Sequence, residues 1–234
     1  MSRISNTSRL LGAAFLLQAT TSLISGLILA AALIVPGDIS STMLRIAGRP
    51  WMMRGVILGE MVTISGVILL AAILFVVLRQ QHEIIALTAL GLYVLEAAIG
   101  AIRLVAGSSL LRVSLNFARE GRSLYSQDLA SMLLESLDSA YKLMMLPFCV
   151  GAIIFYYLLY RSRLVPAALS LWGLMAVFPV LLGTVLTILG FQPSLFLYLP
   201  YIPFEFVIGI WILIKGLNEV RFKETLQPLT VEQP

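Results

Sequence analysis

Residues 51–78 read WMMRGVILGEMVTISGVILLAAILFVVL, and this apolar run decides the fold class. A helix needs roughly 20 apolar residues to cross the hydrocarbon core of a bilayer. The run exceeds that length and carries only two ionisable side chains, Arg54 and Glu60. The whole 234-residue chain is similar, with 59% hydrophobic and 12% charged residues, whereas soluble domains average about 25% charged residues. We therefore predict an all-α polytopic integral membrane protein.

Six apolar stretches are predicted to be transmembrane helices of one bundle. They lie at about residues 10–35, 51–78, 84–104, 143–160, 165–189 and 195–214. The first is much longer than the roughly 7–15 apolar residues of a signal peptide, so we expect an uncleaved span. The six helices would form a single membrane domain over residues 1–220, followed by a polar cytoplasmic tail at 221–234.

Two of the predicted outer loops have helical periodicity. Residues 39–47, in the first loop, follow the turn Pro36-Gly37-Asp38 and are predicted to form a short amphipathic helix. In the third loop, residues 105–141, apolar residues recur at three- and four-residue spacings. Gly121 divides this stretch, so we predict two helices at the outer surface, capping the mouth of the bundle, with the second continuing into the fourth span.

The distribution of Lys and Arg predicts the orientation. With both termini inside, and with Arg54, Arg103 and Lys142 set aside because they lie within or border spans, eight basic residues lie on the cytoplasmic side and five on the outer side. Cytoplasmic loops carry the excess of Lys and Arg. The predicted topology is therefore N-in and C-in.

Several short strings in fixed order resemble one family. They are IVPGD at 34–38, RGVI at 54–57, YRSRLVP at 160–166, and Glu205 followed by WILIKG at 211–216. Over roughly residues 8–220 the chain resembles the bacterial membrane-protein family known as domain of unknown function 4386. That resemblance implies six helices in a bacterial cytoplasmic (inner) membrane, and it implies no activity. Residues 137–142 read LDSAYK, where the family pattern usually contains a histidine.

Polar and ionisable side chains inside the predicted spans form the candidate site. An ionisable group costs about 2.5–3.5 kcal/mol at the centre of a span and by default indicates function. Placed by a helical rise of ~1.5 Å per residue, these groups fall at the midplane or in the outer half of the bilayer. This arrangement predicts a polar cavity that opens outward, lined by Gln18, Arg54, Glu60, Glu96, Arg103, Lys142 and Glu205.

Alternative interpretations of these residues are structural. Glu96 with Arg103, and Glu60 with Lys142, are predicted ion pairs that would fix the register of the helices. Arg54 and Lys142 could also extend to the lipid headgroups.

Glu205 is the strongest single functional candidate in the sequence. It follows Pro200 and Pro203, which are predicted to break the sixth helix and to leave carbonyl groups free beside a midplane carboxylate. We expect this carboxylate to lie within reach of Gln18. Such a group could hold a proton or a cation, and the alternative is a buried, hydrogen-bonded glutamate.

Other chemistries have no support in the sequence. Cys149 is the only cysteine and His82 the only histidine, so an intrachain disulfide, bis-histidine haem ligation and a thiolate metal site are excluded. No phosphate-binding loop, catalytic constellation, cofactor site or basic nucleic-acid-binding patch is apparent.

Two functions are consistent with this pattern of charged residues in the predicted spans. The first is a transporter or channel-like protein for a small solute or ion. The alternative is a non-catalytic structural or regulatory membrane protein whose buried charges are ion pairs. The expected partners are the lipid bilayer and a small solute or ion, and the oligomeric state stays open.

Overall fold

The computed structural model describes residues 3–121 and 123–218 and is helical along nearly all of this length. The helices are α1 (Arg3–Ser22), α2 (Ala30–Leu33), α3 (Ile39–Gly48), α4 (Pro50–Leu78), α5 (Glu83–Glu120), α6 (Leu124–Ser162), α7 (Ala167–Ile188) and α8 (Tyr201–Lys215). A π-helical segment, Leu23–Leu29, joins α1 to α2, and a 3₁₀ turn, Leu195–Leu197, precedes α8. The described residues contain no β-strand, and the all-α prediction is confirmed. The predicted tail at 221–234 lies outside the described residues.

Among the described residues, five helical stretches are long and apolar enough to cross a bilayer. They are Asn6–Leu33 together with α4, α5, α6 and α7. Many large apolar side chains on them are exposed, including Trp51 at 67% and Ile84 at 72%. Such a surface suits lipid rather than water. The helix α8 has 15 residues and is only about 22 Å long, short of the ~30 Å hydrocarbon core. A sixth span there stays a prediction.

The helices α5 and α6 are longer than the sequence indicated. The prediction of a separate surface helix at 105–120 is wrong, because α5 runs unbroken to Glu120. No proline interrupts this stretch, and the chain turns only at Gly121, whose φ of +95° is readily available to glycine. The predicted continuation of the next helix into the fourth span is confirmed by α6. Each helix is about 57–58 Å long, roughly twice the hydrocarbon thickness.

The short helix α3 begins at a well-formed cap. The backbone N–H of Ser41 donates to Oδ1 of Asp38 over 2.8 Å, and its hydroxyl donates to Oδ2 over 2.6 Å. These hydrogen bonds from Ser41 hold the pKa of Asp38 below its ordinary value. Met43 and Ile46 are fully buried on one face of α3. The helix lies where the sequence placed it, and its position outside the bilayer stays a prediction.

The described chain forms two compact units. Unit 1 comprises residues 3–16, 67–94 and 145–218, and unit 2 comprises residues 17–66 and 95–144 without 122. The core of unit 1 contains edge-to-face aromatic pairs, among them Tyr93 with Phe155 and Tyr156 with Phe204. A further group of buried side chains forms the core of unit 2: Leu33, Met43, Ile46, Met53, Val56, Leu110, Phe117 and Ala130.

In unit 1 the helices α1 and α8 approach each other almost backbone to backbone. A Cβ atom built on Gly12 would lie 2.6 Å from the backbone nitrogen of Leu213 and 2.8 Å from the carbonyl oxygen of Gly209. Atoms at these distances overlap, so only glycine fits at position 12 with the helices in this arrangement. Close approach of this kind is a common way for membrane helices to pack, because small residues increase the van der Waals contact.

Candidate functional site

A salt bridge inside unit 2 joins two of the long apolar helices. Nη2 of Arg103, on α5, lies 2.8 Å from Oε1 of Glu60, on α4. The side chains are 17% and 14% exposed, respectively. Charge-assisted hydrogen bonds at such a distance are among the strong ones, especially where little water competes. This pair is therefore the best-defined charged feature within the candidate membrane helices.

The partners in this pair differ from those that the sequence suggested. The sequence suggested Glu96 as the partner of Arg103, but the partner is Glu60. Glu96 lies two turns away on α5, about 10 Å from Arg103 along the helix axis, whereas Glu60 faces Arg103 from α4. The predicted pair of Glu60 with Lys142 is wrong. The ammonium group of Lys142 instead lies 2.5 Å from the carboxylate of Asp138, one turn earlier on α6.

A tyrosine ring packs against the guanidinium group of Arg103. The Cζ atom of Arg103 lies 5.1 Å from the centroid of the Tyr141 ring. A guanidinium within about 6 Å of an aromatic face is attracted to its negative quadrupole. Arg103 is thus held from two sides, by a carboxylate of α4 and by a ring of α6.

A line of hydroxyl groups and glycines continues along α4 next to Glu60. The hydroxyls of Thr21 and Thr63 are hydrogen-bonded over 2.7 Å. One turn before Thr63, a Cβ on Gly59 would lie 2.7 Å from the Cβ of Ser25, so this face of α4 lies directly against the π-helical segment. Gly66 packs in the same way against the side chain of Gln18, which is 6% exposed.

The π-helical segment Leu23–Leu29 is the feature of this region that sequence reasoning missed. Such segments are rare and often occur at functional sites, because the wider turn disturbs the regular hydrogen-bond pattern. Ser25 lies within it, and its hydroxyl donates to the carbonyl oxygen of Thr21 over 2.6 Å. Small residues such as Ser25 and Gly26 favour close helix packing, but they do not distinguish a π-helical turn from an α-helical one.

We call this region the polar cluster. It consists of Gln18, Thr21, Ser25, Glu60, Thr63, Glu96 and Arg103. Glu96 is buried, at 5% exposure, and Gly100 lies between it and Arg103 on α5. A Cβ on Gly100 would be 3.2 Å from the side chain of Ile64, which places α5 directly against α4. The cluster includes four of the seven predicted site residues.

The other three predicted residues have different surroundings. Arg54 is exposed on the first part of α4. Lys142 is partly exposed, and its pairing with the exposed Asp138 is of the kind that contributes little to stability. Glu205 belongs to unit 1, where it is half-buried on α8 one turn after Tyr201. The predicted outward-facing cavity stays a prediction.

The break predicted at Pro203 is wrong, whereas the predicted span at 195–214 is α-helical only after Pro200. Pro200 is the N-cap of α8 and Pro203 lies in its first turn, so the helix continues unbroken to Lys215. The first four N–H groups of any helix have no partner within it, and a proline there removes no hydrogen bond. Glu205 therefore does not lie beside carbonyl groups freed by a kink. The first turn is held by a hydrogen bond of 2.7 Å between the hydroxyls of Tyr201 and Tyr156.

Two cavities open on the surface of the described residues. The first, of about 490 Å³, lies in unit 2 beside Arg45 and Arg49. The second, of about 410 Å³, lies in unit 1 between the α6–α7 turn and the end of α8. Neither is lined by any of the seven predicted residues. Within the described ranges, no three His, Cys, Asp or Glu residues form a group that could hold a metal ion.

Comparison with known proteins identifies the family. A family model described as Domain of unknown function (DUF4386) matches residues 10–216. No curated protein and no solved structure gives a significant match. The matched residues include every residue of the polar cluster, and they make up most of the 234-residue chain. The chain therefore belongs to the DUF4386 family.

Proposed function

We propose that this protein is a transporter or channel-like carrier of a small ion or polar solute, and that the solute engages the Glu60–Arg103 pair. The observation that supports this most is a carboxylate and a guanidinium facing each other 2.8 Å apart on two candidate transmembrane helices. Ionisable groups at such positions are expensive and commonly mark ion or substrate pathways. An ion could replace the partner that has the same sign of charge. A zwitterion carries both charges and could replace either partner.

The surroundings of the pair support this proposal. Thr21, Ser25 and Thr63 supply hydroxyl groups that can both donate and accept hydrogen bonds. The π-helical segment beside them packs through small residues, Ser25 against Gly59. A small rearrangement of this segment would expose polar groups next to Glu60. On this basis the polar cluster would be the place where a solute is bound during transfer.

A second candidate is a non-catalytic structural or regulatory role. It is favoured by the contacts of Arg103 with both Glu60 and the ring of Tyr141. In that case the pair would fix the register of α4 against α5, which is an established use of buried polar groups. The two candidates differ in whether the charge of Glu60 is needed for solute movement or only for assembly.

Solute flux through proteoliposomes distinguishes the two candidates. The purified chain is reconstituted, and uptake of Na⁺, K⁺, H⁺ and glycine is compared with that of empty liposomes. The Glu60→Gln variant should reduce the wild-type flux about tenfold or more, because a charge-assisted contact worth about 1.5–3 kcal/mol is removed. The amide keeps the shape and can still accept from Arg103, so we expect the variant to fold.

Glu135→Gln is the matched control, because Glu135 is exposed in the same unit. It should retain the wild-type flux. If the folded wild-type protein moves none of these solutes faster than empty liposomes, the transporter proposal is wrong. Unchanged flux in Glu60→Gln would likewise exclude the role proposed for this pair.

We further propose that the chain resides in a bacterial cytoplasmic membrane with both termini inside and with α8 as a sixth span. The excess of basic residues on the cytoplasmic side supports this orientation. It places the turn between α5 and α6 outside the cell. A membrane-impermeant thiol reagent added to intact cells should therefore label Ser123→Cys. Labelling only after permeabilisation would indicate the opposite orientation.

A further inference from the structure

The cavity of unit 1 combines basic groups with an apolar wall. Its basic and polar side includes Arg163, Lys215 and Asn218, and its apolar side includes Val165, Pro166 and Trp211. The cavity volume is about 410 Å³. This combination suits a ligand that has a negatively charged group next to an apolar part.

Arg163 occupies a backbone position that normally favours glycine. It follows the last residue of α6 and has a φ of +55°. Glycine, or sometimes asparagine, is the usual residue at such a left-handed helix end, since a Cβ atom is strained there. The guanidinium group lies 4.7 Å from the centroid of the Tyr160 ring, which directs the side chain. An arginine is thus present where the backbone alone would prefer glycine, and this indicates a use for its side chain.

The surrounding backbone fixes the position of these basic groups. The N–H of Asn218 donates to the carbonyl oxygen of Leu164 over 2.9 Å. The N–H of Leu217 donates to the hydroxyl of Ser8 over 3.2 Å. The chain after α8 is therefore tied both to the α6–α7 turn and to α1. Lys215 ends α8 next to this bridge.

Within residues 3–121 and 123–218, neither Arg163 nor Lys215 forms a salt bridge with an acidic side chain. The salt bridges of Arg103 with Glu60 and of Lys142 with Asp138 lie in unit 2 and involve neither of these cations. Trp211 is 37% exposed, and tryptophan is enriched at the level of the lipid headgroups. Two cations beside a tryptophan at the polar end of an apolar helix are the features with which proteins recognise anionic headgroups.

We propose that this cavity binds the headgroup phosphate of an anionic phospholipid. Arg163 and Lys215 contact the phosphate oxygens, and Trp211, Val165 and Pro166 contact the glycerol and the first carbons of the acyl chains. A guanidinium can bind phosphate through two parallel hydrogen bonds, and the ammonium adds a point charge. This site shares no residue with the polar cluster, and the proposal does not depend on solute transport.

Titration of the delipidated full chain in detergent tests the proposal. The probes are short-chain phosphatidylglycerol, short-chain phosphatidylcholine and inorganic phosphate, and binding is followed by intrinsic tryptophan fluorescence and by thermal unfolding. Phosphatidylglycerol should bind at least about tenfold more tightly than either other probe, because it alone offers both a net charge and an apolar part. Equal binding of phosphatidylcholine would overturn the anionic specificity, and equal binding of inorganic phosphate would overturn the assignment to a lipid.

The variant Arg163→Gly gives the sharpest result. It should weaken phosphatidylglycerol binding about tenfold and, without lipid, raise the unfolding temperature, because glycine adopts a positive φ without strain. Lys215→Gln, which leaves the backbone unstrained, should weaken binding without that stabilisation. Arg45→Gln removes the same charge at the cavity of unit 2 and should bind as wild type. Unchanged phosphatidylglycerol binding in both Arg163→Gly and Lys215→Gln would contradict the site.

Discussion

Replacing Arg103 by methionine should destabilise the protein strongly. The variant keeps a long side chain but leaves the carboxylate of Glu60 without its cation, at a position where the side chain is only 14% exposed. Removing one member of a buried ion pair typically costs about 3–5 kcal/mol, because the remaining charge is uncompensated. We expect the low end of this range, since both side chains keep some exposure. Thermal unfolding of the purified protein in detergent micelles measures the change.

Two further variants separate this effect from a general loss of charge. The double variant Glu60→Leu with Arg103→Met should recover most of the lost stability, because it removes both charges together. Arg112→Met is the matched control: Arg112 is exposed on the same helix and should change the free energy of unfolding by no more than about 0.5 kcal/mol. If Arg103→Met unfolds at the wild-type temperature, the salt bridge does not hold α4 and α5 together.

The second large effect is expected from Gly12→Ala. The added methyl group would lie 2.6 Å from a backbone nitrogen of α8, and backbone atoms cannot move aside as a flexible side chain can. The helices α1 and α8 must therefore separate, and overpacking of this kind costs about 1–3 kcal/mol. The unfolding temperature of the purified protein should fall accordingly.

Gly91→Ala is the control for this substitution. Gly91 lies in the same unit, within α5, and a Cβ there meets no atom within 4 Å. Alanine favours the helix over glycine by about 0.8–1.0 kcal/mol, so this variant should be as stable as the wild type or more stable. Equal stability of Gly12→Ala and Gly91→Ala would mean that α1 and α8 do not approach as closely as the structure places them.

Local sequence patterns predicted the helical class and the helix ends that have strong chemical signals. The α3 helix follows Asp38, whose carboxylate caps it, and α5 ends just before Gly121, which takes a positive φ. The prediction that the helix of the third span ends near Leu104 is wrong, because it treats the polar residues after Leu104 as a helix end. Polar side chains mark where a helix leaves lipid, but they do not end it, and α5 continues for several more turns.

The candidate site was predictable in its residue types and less so in its partners. Gln18, Glu60, Glu96 and Arg103 were identified because ionisable and amide groups are rare in apolar runs. Their pairing depends on the rotation of α4 against α5, which one sequence does not encode in any short pattern. The prediction of a helix break at Pro203 is wrong for a related reason. A proline breaks the interior of a helix but suits its first turn, and only the start of α8 at Tyr201 shows that Pro203 lies in the first turn.

The most direct test of the proposed function is whether water-soluble reagents reach the polar cluster. The native Cys149 is fully buried, so the wild-type protein supplies an unreactive background for single introduced cysteines. Thr63→Cys, one turn from Glu60, is compared with Met61→Cys, which is 56% exposed on the same apolar helix, and with Ser123→Cys in the α5–α6 turn. Each variant is treated in intact cells with a membrane-impermeant thiol reagent.

If a solute reaches the Glu60–Arg103 pair from the outer aqueous phase, Thr63→Cys and Ser123→Cys should both be labelled. Met61→Cys should stay unlabelled, because its thiol faces lipid, where thiolates do not form. Labelling of Ser123→Cys with no labelling of Thr63→Cys would contradict the account, since a polar cluster closed to outside water would be a structural ion pair and not part of an outward-facing solute path.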